Sequence, residues 1–125
     1  MEIVSALFVD QFDIRQDTGG SARLDLTGVY FSTTASTFPV SLEPHLLVLV
    51  RCPEDATGIG ALEVRFMAGS EQVARNVQPL QVEPGKFNYR LIRGELTWDR
   101  PGTIEAHCRI DQGPVVTVPL TVNPA

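Results

Sequence analysis

The chain has 125 residues, 43% of them apolar and 20% charged, with a net charge of −5. That length reads as one domain over 1–125, able to bury a core without disulfides or metals. The composition is far from that of a disordered chain, and the acidic balance argues against a nucleic-acid partner.

The ten basic residues are scattered and form no run. The one basic cluster left for folding to assemble is Lys86, Arg90, Arg93 and Arg51. The opening Met1–Asp10 lacks a basic n-region, and no apolar run approaches the length needed to cross a membrane, so neither a signal peptide nor a membrane anchor is expected. Cytoplasmic location with reduced thiols at Cys52 and Cys108 follows as the expectation; removal of an upstream leader would reverse it.

In chain order, residues 2–16 are too β-branched and aromatic for a helix. Apolar side chains on both parities predict a strand covered on both faces or bent by a bulge. Asp17–Gly20 is a turn, and residues 22–31 alternate with Leu24, Leu26, Gly28 and Tyr30 on one side, so the first two segments form a hairpin. Residues 32–43, rich in Ser and Thr, read as the longest connection. Pro44–Arg51 is a continuous apolar run expected in a central strand.

Residues 60–68 alternate, with Leu62, Val64, Phe66 and Ala68 facing in and Met67 facing out. Short strands follow around 72–77 and 87–91, separated by turns at Pro79 and Pro84-Gly85. The closing hairpin enters at Pro101-Gly102. Ile104, Ala106, Cys108 and Ile110 face inward in its first strand, and Val116, Val118, Leu120 and Val122 in its second. Pro119, lacking an N–H, sits on the outward side of an edge strand or at a bulge.

Seven to eight short strands without a helix point to an all-β domain, an antiparallel sandwich or barrel, and the Pro-Gly corner before the closing hairpin favours an immunoglobulin-like β-sandwich. The tyrosine that often latches such a corner is absent, since Ile104 holds its position.

Leu7–Asp10, Leu26–Tyr30, Thr37–Pro39 leading to Pro44–Val50, Leu62–Phe66, Gln72–Arg75 and Pro101–Ile104 with the closing hairpin follow one another in an order that resembles a family of small bacterial proteins known only as a domain of unknown function. The likeness covers nearly the whole chain. It implies an all-β, sandwich-like fold and carries no activity or functional residues.

No catalytic, cofactor or metal motif stands out. His107 and Cys108 are adjacent on a strand and leave it in opposite directions, which is wrong for joint ligation, and both cysteines read as small core residues. Asp17, Asp55 and Asp111 are each explained by turn chemistry. Asp10 shares parity with Phe8 and Phe12 and is expected to be partly buried and hydrogen-bonded. There is no nucleophile elbow, and Gly58-Ile59-Gly60 opens a strand instead of a phosphate-binding helix.

The expectation is therefore a non-catalytic protein-interaction or structural accessory module. Its candidate contact is the loop Thr37, Phe38, Pro39 and Val40, with a weaker patch at Met67, Val29 and Val115. Phe38 has a second reading, as a lid folded over the end of the core. The alternative function is a small-ligand or carbohydrate-binding domain with Trp98 and Tyr30 as stacking platforms. Neither the partner nor the oligomeric state is specified by the sequence.

Overall fold

A computed structural model describes all residues, 1–125, as an all-β chain of eleven strands. These are β1 (Glu2–Gln16), β2 (Ala22–Val29), β3 (Ser32–Ala35), β4 (Val40–Leu42), β5 (His45–Arg51), β6 (Ile59–Ala68), β7 (Glu71–Gln81), β8 (Phe87–Arg93), β9 (Leu96–Trp98), β10 (Gly102–Ile110) and β11 (Val116–Pro124). One sheet has the order β2-β1-β5-β8, a second the order β3-β11-β10-β6-β7, and β4 pairs with β9 as a small third sheet. No helix is long and apolar enough to cross a membrane.

The two larger sheets share one apolar core. The first contributes Ala6, Phe8, Leu46, Val48, Val50 and Ile92; the second contributes Leu62, Val64, Phe66, Ile104, Ala106, Cys108, Leu120 and Val122. Alternation on each strand makes this possible, because residues two apart point to the same face. Each fully buried Leu or Phe contributes roughly 1.5–3 kcal/mol by leaving water. The inward residues expected in the closing hairpin β10–β11 are all buried or packed against this core. The continuous run of β5 is central as expected, flanked by β1 and β8. β1 carries the expected irregularity, a register shift between Ile3 and Ser5 against β5.

Several expectations are corrected. The 32–43 segment is not a bare connection. Ser32–Ala35 pairs in parallel with Thr121–Pro124, and Val40–Leu42 pairs with Leu96–Trp98. These added short strands raise the count above seven or eight. β7 is longer than the expected 72–77 segment and runs through Pro79, which is tolerated because β7 lies at the edge of its sheet. β11 is flanked by β3, but only along 121–124, so Pro119 still sits where the outer edge is open. Met67 lies outside the common core yet is only 7% exposed, and the ladder to β7 shifts register between Phe66 and Met67. Val29 and Val115 are exposed, one on β2 and the other in the β10–β11 turn, so the three do not form a patch.

The placement of β2 shapes one end of the molecule. β5 pairs with β1 from Glu2 to Val9, whereas β2 pairs with β1 from Val9 to Gln16. The two neighbours of β1 therefore lie along different halves of it. β2 packs substantially on β1 alone. Residues 10–28 project past the core as a two-stranded arm.

A candidate contact site at the root of the arm

β1 carries Ala6 and Phe8 into the core, and strand alternation continues the same face through Asp10, Phe12 and Ile14. The β5 ladder stops at the pair Val9–His45 because Pro44 has no N–H to extend it. The carbonyl of Pro44 instead accepts from Gly94 N at 2.9 Å, and the chain departs toward β4. On the other side β2 ends at Val29, where Gly28 adopts a φ of +70°. Tyr30 N then donates to Phe8 O at 3.0 Å, holding the next residue against the root of the arm.

These departures leave a cleft of about 410 Å³. Asp10 and Val9 form one wall, Tyr30, Ser32 and Thr33 a second, and Leu42 to His45 the third.

The charges in the cleft are unevenly satisfied. Glu43 is paired with Arg93. Asp10 was expected to be partly buried and hydrogen-bonded; it is exposed and meets no donor or cation of the chain. Its parity with Phe8 was read correctly, but the opposing layer ends before it. The Tyr30 phenol is held above its ordinary pKa, first by burial and then by the negative charge of Asp10. The His45 ring meets the edge of Phe12 in a T-shaped contact, with centroids 6.1 Å apart and planes at 83°. Ser32 and His45 line the same cleft with no hydrogen bond between them. No three His, Cys, Asp or Glu side chains converge to hold a metal ion.

The arm continues this surface. Phe12 stands opposite Leu26 and Ile14 opposite Leu24. All four share one face; Phe12, Leu24 and Leu26 are half-buried, Phe12 against His45 of β5, and Ile14 is 49% exposed. The opposite face places Asp13 beside Asp25 and Arg15 beside Arg23, like against like. The repulsion is relieved by other pairings: Arg15 binds Asp25 at 2.5 Å, and Arg23 binds Asp17 at 2.6 Å. Asp17 also accepts from Gly19 N at 2.9 Å and Ser21 N at 3.0 Å, fixing the tip.

Among the residues of the candidate loop, Thr37 and Pro39 are exposed. Phe38, joined to Pro39 by a cis peptide bond, is half-buried against the core, and Val40 is half-buried in β4 opposite Trp98. Two of the four thus turn inward, and none of the four lines the cleft, which the 32–43 stretch reaches through Ser32, Thr33, Leu42 and Glu43. Trp98 is 3% exposed and offers no stacking platform. Phe31 escaped the sequence reading: it is 71% exposed, between Tyr30 and Ser32 in the chain, though it does not line the cleft itself. Its place just after the alternating β2 segment was the one available sign. The four residues of the suspected basic cluster are separately engaged: Arg51 with Glu2, Lys86 with Glu83, Arg93 with Glu43 and Arg90 with the Pro79 carbonyl.

No protein-family model, curated protein or solved structure matches this chain.

Proposed function

We propose that this chain is a non-catalytic protein-interaction module, an immunoglobulin-like two-sheet domain of the small bacterial kind that it resembles, working in the cytoplasm. The observation that supports this most directly is the arm. A two-stranded hairpin is at best marginally stable in water, and this one carries an apolar face that lies outside the common core and is only half-buried, with Ile14 exposed. Such a face gains from a partner. The core behind it supplies a rigid base, because β1 is shared between core and arm. The burial of Trp98 weighs against the alternative reading as a carbohydrate-binding domain.

The test is affinity capture from the native lysate with the wild-type chain, with a Phe12→Ser/Leu26→Ser variant and with Phe38→Ala. The proposal expects one or more captured proteins to be lost with the arm variant. A partner set that survives it unchanged refutes the arm as the contact, and loss with Phe38→Ala alone moves the contact to the Thr37–Val40 loop.

A further inference from the structure

The cleft and the arm together restrict what kind of partner fits. Asp10 presents a carboxylate with no cation of its own chain, in a cleft whose other carboxylate, Glu43, is already taken by Arg93. The hydroxyls of Ser32 and Thr33 line the same space. An anionic ligand is repelled here, and a cation with several N–H donors is matched. Past Val9, β1 also has no neighbour on the side that β5 has left. Alternate N–H and C=O groups there are open to an added strand. Apolar side chains continue the face of the carboxylate along the arm: Phe12 opposite Leu26, then Ile14 opposite Leu24.

We propose that the cleft takes a Lys or Arg side chain from an extended segment of another protein, laid along the edge of β1 that β5 leaves free. Asp10 is its counter-charge, and Phe12 and Leu26 hold its apolar neighbours. This rests on the reading of the arm as an interaction surface.

A second copy of this chain fits less well. Of its ten basic residues, nine have a hydrogen-bonding or ion-pair partner within the chain. The remaining one, Arg100, lies in the bend between β9 and β10 rather than on an extended segment. The four apolar side chains of the arm are also too small a face for a stable dimer, which buries about 800 Å² per partner. Main-chain pairing and a charge contact are what make a short segment sufficient.

The experiment selects a phage-displayed library of random linear peptides on the wild-type chain. The best peptide is then synthesised and its affinity measured against wild type, Asp10→Asn, Asp10→Lys and Phe12→Ser/Leu26→Ser, each checked for the native emission of Trp98. The expected result is enrichment of Lys or Arg with apolar residues two positions away, since alternate residues of a strand share a face. Affinity falls about tenfold or more in Asp10→Asn, as for loss of a charge-assisted hydrogen bond, and further in Asp10→Lys.

Peptides without basic enrichment, or bound equally by Asp10→Asn, overturn the assignment of the cation. If those peptides still lose affinity in the arm variant, the arm remains the contact surface and only the cation is wrong. Peptides indifferent to both changes, or no binders at all, overturn both. A dimer in sedimentation equilibrium that Arg100→Gln dissolves assigns the cleft to a second copy instead.

Discussion

Gly28 lies directly against Asp10: a β-carbon built on Gly28 would come within 2.2 Å of the Asp10 Oδ2 and 2.9 Å of its Cβ. The φ of +70° at Gly28 is also one that side-chain-bearing residues rarely adopt. Gly28→Ala should therefore cost about 1–2 kcal/mol and push the Asp10 carboxylate out of its position. Urea denaturation measures the first effect, and amide shifts around Asp10 measure the second. Gly102→Ala is the control: nothing lies within 4 Å of its added carbon, so its effect should stay within about 0.5 kcal/mol.

The arm should be dispensable for folding. Its apolar face lies outside the common core, and β2 packs substantially only on β1. Replacing Gln11–Thr27 by a tight Asn-Gly turn should leave the near-ultraviolet spectrum and Trp98 emission unchanged, with Tm shifted by only a few degrees. Loss of the cooperative transition would show that the arm belongs to the core.

Trp98 should be largely replaceable by phenylalanine. Its ring is buried among core residues, but its Nε1 has no acceptor. Trp98→Phe sheds that unpaired donor while keeping an aromatic ring, so the loss in stability should be about 1 kcal/mol or less. Trp98→Ala, which empties the site, should cost about 3–5 kcal/mol. Thermal melts of the two variants decide this.

Burial pushes the Cys108 thiol up to about 12 from the ordinary 9.0. The folded-state pKa is raised, so the thiol's contribution to stability is fully present below about pH 9 and declines as pH climbs toward 12. Stability curves of wild type and Cys108→Ala should converge across that window. At pH 8 neither Cys52 nor Cys108, both buried and free, should react with a thiol reagent until urea is added.

Much of the architecture was readable because it depends on neighbours along the chain. Ile104, Ala106, Cys108 and Ile110 announce a buried strand face by alternation alone, and the unbroken run from Leu46 to Val50 announces a central position. The parallel pairing of Ser32–Ala35 with Thr121–Pro124 was not readable, since its partner is most of the chain away and Ser and Thr are equally at home in loops. The site was missed for a related reason. The parity of Asp10 with Phe8 is correct, but parity says nothing about where the facing sheet stops. Only Pro44, at the start of β5, hinted that the ladder beside β1 would end there.

β1 is a single strand of fifteen residues, which at about 3.3 Å per residue reaches roughly 50 Å. Its register shift against β5, at Ile3–Ser5, lies in the half that pairs within the core, with no linker between core and arm. The arm is thus a cantilever, clamped by β5 along one half and free along the other. A load at the Asp17–Gly20 tip bends the strand about Val9 and His45 and is carried into the Leu7–Leu47 row of the sheet. The twist of the domain's own sheet therefore sets the angle at which the arm stands, as a bracket does, where a tether would leave it free to turn.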